Sequence, residues 1–382
     1  MTAQRWEIFT EEHEMLRKSA RDFIQREVAP HADEWEAQKD FPRELYRRFG
    51  ELGFFGLKYE PEYGGSGPDL AADAVIIEEL ANCGAGGVAA GIGAHKDLGS
   101  YYIYRFGNEQ QRRRWLVPSI TGEIIGALGV TEANTGSDVA NLQTRAVRDG
   151  DHYVVNGSKM FITNGSKADY VVTAVRTGGE GYRGISLLVI EKDTAGFTSR
   201  RIPTVGWWTS HTAELSFNDC RVPTENLLGE EGTGFISIMK NFQWERIAMA
   251  LGACAAAQRV LQLGIDYAKD RRAFGRPVAK FQTWRHRFAD LETEIAAARA
   301  LTYHAFRKML AGEDALREVS MAKWLACEVD WKVADEALQV HGGYGYMMEF
   351  PVQRAWRDAR LGPIGGGTTE IMKEIIAKTF GL

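Results

Sequence analysis

The chain has 382 residues, of which 45% are hydrophobic and 25% are charged, a composition typical of a globular protein with two or three domains. Its formal net charge of -5 excludes broad affinity for nucleic acid and permits only a local basic site. The four cysteines form no CxxC pair and no His/Cys cluster at zinc spacing, which predicts buried free thiols in a reducing compartment and no metal site. The first residues lack the apolar region of a signal peptide, and no run of 18 apolar residues occurs. We therefore expect a cytoplasmic protein without an integral membrane segment.

The first predicted domain, residues 1–120, is helical. Apolar residues recur at helical spacing in EEHEMLRKSARDFIQREVAPHADEWE, PRELYRRFGELGFFGL and DLAADAVIIEELANCG. Pro30 is expected to end the first of these helices. The later segment AGGVAAGIGAH is rich in small residues, which predicts either tight helix packing or a deep pocket beside Gly87, Ala89, Ala90 and Gly91.

Two further domains are predicted after it. Residues 121–230 contain short β-rich runs such as HYVVNGSKMFITNG, DYVVTAVRT and GISLLVIEK, separated by Gly, Asn and Asp turns. Residues 231–382 return to long helical patterns. The predicted fold class is α+β, with an N-terminal helical domain, a middle β-barrel or sandwich and a C-terminal helical bundle.

Several common catalytic and nucleotide-binding motifs are absent. No Rossmann-type GxGxxG connects a predicted strand to a predicted helix, and no GxxxxGK[ST], GxSxG or HExxH occurs. If the protein is an enzyme, its chemistry is expected to come from a cofactor held in another way.

Two loops of the β-domain carry groups suited to a phosphate and a planar ring. In TEANTGSD, Thr131, Gly136 and Ser137 offer hydroxyls and approachable amides that suit a phosphate. In KMFITNG, Phe161 and Thr163 could face a planar ring. The structural alternatives are an ordinary turn between strands and a half-buried strand end.

Two helix ends in the C-terminal domain carry similar signals. DRRAFGRPVAKFQ places Arg271 beside a turn, which predicts either an anion site or arginines that complement a helix dipole. In QVHGGYGY, Gly342 and Gly343 stand where helices commonly end in a left-handed glycine. The lone His341 is assigned no catalytic role.

A candidate reactive group lies in FQWERIAMALGA. On a helix, the neighbours of Glu245 at three, four and seven positions are almost wholly apolar or small: Ile238, Asn241, Phe242, Ala248, Met249 and Gly252. Desolvation there would raise the pKa of the carboxyl toward neutrality, which suits a general base. A structural carboxylate paired with an arginine is the alternative, and the residues alone leave both open.

Together these segments resemble the acyl-CoA dehydrogenases over essentially the whole chain. The most specific matches are TEANTGSD, KMFITNG, DRRAFGRPVAKFQ, QVHGGYGY and RDARLGPIGGGTTEIMKEIIA, in that order. Within the family the chain looks most like the long-chain members, because of TAELSFND, LLGEEGTGF, the phenylalanine of KMFITNG and GGGTTEIMKEIIA.

The resemblance implies FAD held without a Rossmann fold. The residues implied to contact it are Leu128, Val130, Thr131, Gly136, Ser137, Phe161, Ile162 and Thr163 near the flavin and pyrophosphate, Arg271, Phe274, Phe281 and Gln282 toward the FAD of a neighbouring subunit, Gln339, Val340, Gly342 and Gly343 near the adenosine diphosphate, and Thr368 and Glu370 at the last contacts. Ala273 stands where the family commonly has a hydroxyl, so one hydrogen bond to FAD is expected to be missing.

The resemblance also places the base. Many members carry a catalytic glutamate in the segment matching GPIGGGTTEI, where this chain has Gly366. Long-chain and isovaleryl members place it instead at the position matching Glu245. The implied reaction is α,β-dehydrogenation of a fatty acyl-CoA to a trans-2-enoyl-CoA, in which Glu245 takes the pro-R α-proton and hydride goes to flavin N5. The thioester carbonyl is polarised by the Gly366 amide and an FAD ribityl hydroxyl. The implied substrate contacts are Ser137, Phe242, Arg246, Gly366 and Gly367.

The same resemblance implies a homotetramer that passes electrons to an electron-transfer flavoprotein. A medium-to-long straight acyl chain is expected, with a branched, isovaleryl-type substrate as the alternative. Three other hypotheses stay open: an oxidase that uses oxygen, a nitroalkane-oxidase-like enzyme, whose base is an aspartate, and an acyl-CoA-binding or scaffold protein that has lost catalysis.

Overall fold

The computed structural model describes residues 8–382 and has three regions in chain order: helices, a β-sheet and a second set of helices. This order confirms the predicted fold class. The N-terminal helices are α1 Glu11–Glu27, α2 Ala32–Gln38, α3 Glu44–Glu51, α4 Leu70–Ala81, α5 Gly86–Gly93, α6 Ser100–Phe106, α7 Glu109–Gln111 and α8 Val117–Ile120. Helix α1 ends at Glu27, shortly before Pro30, as the sequence predicts.

The middle region is a sheet whose strands lie in the order β6-β7-β3-β2-β4-β5-β8, with β1 parallel to β4. The strands are β1 Gly126–Gly129, β2 Arg145–Asp149, β3 His152–Ile162, β4 Tyr170–Arg176, β5 Ile185–Glu191, β6 Phe197–Arg201, β7 Ala213–Pro223 and β8 Leu227–Leu228. Strands β4 and β5 are continuous apolar runs because both of their faces are covered. Strand β2 was not predicted from the sequence; it buries only Ala146, and its other residues are exposed.

The C-terminal region is a bundle of long helices. Its elements are α9 Gly234–Asp270, the short hairpin β9 Arg272–Ala273 and β10 Arg276–Pro277, and then α10 Gln282–Leu310, α11 Leu316–His341, α12 Pro351–Ala359 and α13 Thr369–Lys378. Helix α9 is long and apolar enough to cross a membrane by length and composition alone, but half of its most apolar window is buried inside the protein. It is the core helix of the bundle and packs on α4, α10 and α11.

A buried cluster of four charged side chains lies in the N-terminal region and contacts α9 through the Trp244 Nε1, which donates to Asp97 over 2.8 Å. Lys58, Asp73 of α4, Lys96 and Asp97 are all nearly inaccessible to solvent. Each lysine contacts both aspartates; the Lys96 Nζ lies 2.5 Å from Asp73 and 3.0 Å from Asp97. The last two residues belong to a π-helical segment, Ala94–Gly99, inserted between α5 and α6. Such insertions are frequent at functional sites.

The residues of the small-residue segment AGGVAAGIGAH have two kinds of surroundings: some pack tightly against neighbouring residues, and others border open space. A Cβ atom at Gly87 would lie 2.3 Å from the Thr209 Oγ1, and one at Gly91 would lie 3.1 Å from Asn164 and Phe41. These two glycines therefore allow close packing. Ala89 and Ala90 are half-buried, and a Cβ at Gly93 would meet nothing within 4 Å.

Replacing Asp73 by asparagine is expected to destabilise the protein strongly. The substitution leaves two buried lysines facing one carboxylate, and breaking a buried ion pair costs about 3–5 kcal/mol. Thermal unfolding measures this as a lower midpoint than that of wild type. The control is Asp22→Asn on the exposed face of α1. Equal midpoints for the two variants would contradict the structural role of the cluster.

Candidate functional site

Glu245 lies in the first half of α9 and is 8% exposed. Burial is the largest influence on its carboxyl and raises the pKa to about 8; hydrogen bonds from Asn241 and Tyr102 and the charge of Arg246 lower it, and Asp97 raises it further. A carboxyl with this pKa exchanges its proton near neutral pH, as a general base requires. The mostly apolar helix face predicted from the sequence is the source of this desolvation.

Two hydrogen bonds to Glu245 were not foreseen from the sequence. The Tyr102 hydroxyl and the Asn241 Nδ2 each donate to the Glu245 Oε1 over 3.1 Å. Asn241 carries a sequence signal, because it is four positions before Glu245 on the same helix. Tyr102 lies on α6, 143 residues away, and no local pattern connects it to Glu245.

Side chains from two helices hold the glycine segment that follows α12. The Arg246 Nε donates to the carbonyl of Gly366 over 3.2 Å. The Lys323 Nζ of α11 donates to the carbonyls of Gly362 and Gly367 over 2.8 and 2.6 Å. The Gly366 amide, in contrast, donates no hydrogen bond within residues 8–382. Arg246 is buried and braces this loop, with its guanidinium over the Phe242 ring. Its contact with substrate stays a prediction.

The backbone at Gly366 explains why a glycine stands there. Its φ is +64°, a conformation that L side chains rarely adopt, and a Cβ would lie 2.6 Å from the Met249 Sδ. Met249 lies one turn after Glu245 on α9. The glycine loop therefore packs against the stretch of α9 that carries Glu245. Space that a side chain at 366 would need is occupied by Met249.

The TEANTGSD loop is fixed from beneath by a buried ion pair. The Lys159 Nζ donates to the Val130 carbonyl over 3.1 Å and lies 2.7 Å from the Glu132 Oε1. Glu132 also accepts from the amides of Gln143 and Thr144. Burial lowers the pKa of Lys159 to about 8, and Glu132 opposes that shift. These contacts hold the backbone that carries the candidate phosphate-binding residues.

The donors on this loop fit the phosphates of FAD. The amides of Gly136 and Ser137 donate no hydrogen bond within the described chain, and both residues are exposed. The loop also lies next to the end of β3, since the Met160 amide donates to the Thr131 carbonyl over 2.8 Å. At that strand end, Phe161 is 62% exposed with a φ of +63°.

An exposed aromatic ring beside free amides suits an isoalloxazine and its pyrophosphate. Several residues implied at this site have limited side-chain access. The side chains of Val130 and Ile162 are buried, so only their backbone could reach the cofactor. Those of Leu128, Thr131 and Thr163 are partly exposed.

A second set of predicted FAD residues meets at the far end of the bundle. Arg271 directly follows α9, with its guanidinium 5.7 Å from the Tyr344 ring centroid, and Phe274 is 96% exposed. Around them lie the other members of this set: Phe281, Gln282, Gln339, Val340, Gly342 and Gly343. At 1.5 Å per residue, Arg271 is about 39 Å along α9 from Glu245. Arg271 and Phe274 therefore lie far from Glu245 in one chain, and their contact with the FAD of a neighbouring subunit stays a prediction.

The last predicted contacts lie at the start of α13. Thr368 is its N-cap, and its hydroxyl accepts from the Ile371 amide over 3.4 Å. Glu370 is exposed in the first turn. Gly367, like Gly366, has a positive φ, and a Cβ there would lie 3.5 Å from the Arg246 Nη2. These residues continue the glycine loop toward the exposed surface.

Models of three protein domains match the chain: the acyl-CoA dehydrogenase N-terminal domain at residues 10–123, the middle domain at 127–220 and the C-terminal domain at 232–381. An acyl-CoA dehydrogenase of Bacillus subtilis (strain 168) is 40% identical over 371 residues, covering 97% of this chain and 98% of the relative. The mitochondrial long-chain specific acyl-CoA dehydrogenase of Sus scrofa is 39% identical, with 97% and 87% covered. The crystal structure of an acyl-CoA dehydrogenase from Geobacillus kaustophilus superimposes with a TM-score of 0.96 at 44% identity, covering 99% of this chain and 100% of that one.

Relatives named for other substrates are equally similar. A short-chain specific acyl-CoA dehydrogenase of Clostridium acetobutylicum is 40% identical over 371 residues, and the isobutyryl-CoA dehydrogenase of Bos taurus is 38% identical over 373. Identity therefore does not separate acyl chain lengths. It does agree with the three matching domains on one assignment: the chain belongs to the acyl-CoA dehydrogenase family of FAD-dependent oxidoreductases.

Proposed function

We propose that this protein dehydrogenates a medium-to-long-chain acyl-CoA to a trans-2-enoyl-CoA, with Glu245 as the α-proton base. The proposal rests on one observation. Glu245, a buried carboxyl whose pKa is about 8, lies on the stretch of α9 against which the glycine loop packs, and the Gly366 amide of that loop is free. Bound FAD supplies the acceptor for the hydride that leaves the β-carbon. The protein supplies the base, the carbonyl donor and the orientation of the substrate.

The α-proton of a thioester is weakly acidic, so its removal needs both a base and stabilisation of the developing enolate. Glu245, once ionised, accepts the proton at a carboxylate oxygen. The Gly366 amide donates to the thioester carbonyl, where negative charge develops. Because Arg246 and Lys323 hold the neighbouring carbonyls, this amide is oriented before substrate binds.

Chain length is proposed from the space beside α5. The half-buried Ala89 and Ala90 and the open space at Gly93 favour a medium-to-long acyl chain. A branched substrate is the alternative, and it is supported by the isobutyryl-CoA dehydrogenase among the relatives. An acyl-CoA oxidase is a further alternative, since oxygen as the final acceptor would leave the residues around the base unchanged.

We further propose a homotetramer that passes electrons to an electron-transfer flavoprotein and acts in fatty acid β-oxidation in the cytoplasm. The exposed Phe274 and the distance of Arg271 from the base support an assembly in which one subunit completes another's FAD site. The free, buried cysteines support a reducing compartment.

Glu245→Gln is expected to lower kcat by about 10²–10⁴-fold, the usual contribution of a general base. In wild type, kcat/KM should rise with pH through about 8, because the base must be ionised in the free enzyme. The stability of the fold changes with pH in the opposite direction. The raised pKa of Glu245 contributes its full stabilisation at pH values below the ordinary pKa of a glutamate, and this stabilisation is lost as pH rises through about 8. Asp266→Asn, on the exposed side of α9, is the control. Activity retained in Glu245→Gln would contradict the assignment of the base.

Gly366→Ala is expected to lower both stability and kcat/KM. The left-handed backbone costs an L residue about 1–2 kcal/mol, and the new methyl group would strike Met249. Gly365→Ala is the matched control, because its Cβ would meet only ordinary contacts at 3.7 Å or more. Adding Met249→Ala to Gly366→Ala should recover part of the loss by removing the collision. If Gly365→Ala is the more damaging single variant, the assigned role of Gly366 is wrong.

Gly93→Leu is expected to shift substrate preference toward shorter acyl chains, because the side chain would fill the open space beside α5. The measurement is kcat/KM for a series of acyl-CoAs, with a larger loss for long chains than for short ones. Gly87→Ala, where Thr209 leaves no room, should reduce stability without changing the order of preference. An unchanged ratio in Gly93→Leu would place the acyl chain elsewhere.

A further inference from the structure

We propose that Tyr102 and Asn241 are positioning residues that hold the Oε1 of Glu245, so that Oε2 is the oxygen presented to the substrate. This inference rests on the proposed role of Glu245 as the base. Both hydrogen bonds go to the same carboxylate oxygen, each over 3.1 Å, and they come from different helices. Two donors on one atom fix the rotation of the carboxyl group, whereas one donor would leave it free to swing.

The orientation of the Asn241 amide is set by its other contacts. Its Oδ1 accepts from the Arg105 Nη1 over 3.4 Å, so its nitrogen must point toward Glu245. The same nitrogen also donates to the Asp97 carbonyl over 3.3 Å. A flipped amide would face the guanidinium with its NH2 group and the two acceptors with its oxygen, which loses every one of these bonds.

Tyr102 remains a donor throughout the working pH range. Its side chain is fully buried on α6, and burial together with the nearby Glu245 charge raises its pKa well above the ordinary value. The hydroxyl therefore keeps its proton when Glu245 is ionised. It stabilises the carboxylate form, as the Asn241 amide also does.

The buried charge cluster holds the backbone segment that Asn241 contacts. Asp97, whose carbonyl accepts from Asn241, has its own side chain held by Lys58, Lys96 and the Trp244 Nε1, the last over 2.8 Å. Trp244 directly precedes Glu245 on α9. The base is thus fixed from its own helix and from the π-helical segment.

The second carboxylate oxygen is left for chemistry. The Glu245 Oε2 accepts no hydrogen bond within residues 8–382. It also differs from the unpartnered oxygens that are completely buried, because it keeps some exposed surface. It therefore faces accessible space. None of the charged groups around the carboxyl binds Oε2. Arg246, on the same helix, donates to the Gly366 carbonyl, and Arg105 contacts Asn241. Asp97, whose charge raises the pKa of Glu245, is held by Lys58 and Lys96.

The test is the ionisation of Glu245 in the FAD-bound enzyme without substrate. Infrared difference spectra between each variant and its Glu245→Gln double follow the protonated carboxyl band as pH changes. Loss of a hydrogen bond to a carboxylate should raise the midpoint in Tyr102→Phe by about one pH unit or more. Asn241→Ala should move the midpoint in the same direction, and the acid limb of kcat/KM should follow both.

Turnover supplies a second readout. At high pH, where the base is ionised in every variant, kcat of Tyr102→Phe should still fall roughly tenfold to a hundredfold with little change in KM, because the carboxylate is less well aligned. The matched control is Tyr104→Phe on the same helix, whose hydroxyl donates to Glu60 instead, over 2.7 Å. It should leave the midpoint and kcat unchanged.

An unshifted midpoint in both Tyr102→Phe and Asn241→Ala would overturn the inference, even if the enzyme dehydrogenates acyl-CoA. An equal shift in Tyr104→Phe would also overturn it, because the effect would then be unspecific. If the midpoint shifts but no acyl-CoA is turned over, the two-donor arrangement stands and the proposed function fails. The two failures are therefore distinguishable.

Discussion

The candidate site depends on the desolvation of one carboxyl group, that of Glu245. Glu245 is enclosed where the N-terminal helices pack on α9, and burial raises its pKa to about 8. A buried carboxyl left without donors would hold its proton more tightly still and would be useless as a base near neutral pH. Tyr102 and Asn241 lower that pKa with neutral hydrogen bonds, and they do so without a salt bridge that would keep the group permanently ionised. The guanidinium of Arg246, the next residue on α9, donates to the Gly366 carbonyl instead.

In the proposed reaction, the glycine loop binds the thioester carbonyl while Glu245 takes the proton. Its carbonyls are held by Arg246 and Lys323, its backbone adopts a conformation suited to glycine, and the Gly366 amide stays free. Met249 occupies the space that a side chain at position 366 would need. In the proposed reaction, the base is therefore a side chain of α9, and the loop contributes a backbone amide.

The order of the three regions and the burial of Glu245 follow from patterns that a sequence displays: helical periodicity, β-rich runs between turns, and an apolar helix face around one acid. Strand β2 was missed because it buries a single residue. The contact of Tyr102 with Glu245 spans 143 residues and depends on how α6 packs against α9, which no local pattern encodes. The contact of Arg246 with the Gly366 carbonyl was not foreseen, because it depends on the path of a loop 120 residues later. Which positions of the small-residue segment pack tightly and which border open space depends on side chains from other parts of the chain, so the sequence alone could not distinguish them.

The most direct test of the account is the visible spectrum of the FAD-bound protein, recorded anaerobically while acyl-CoAs of increasing chain length are added. We expect the band of the oxidised flavin to be bleached in wild type and to persist in Glu245→Gln, with the fastest bleaching for a medium-to-long chain. A wild-type protein that no acyl-CoA bleaches would contradict the proposed reaction. Equal bleaching in Glu245→Gln would contradict the identity of the base.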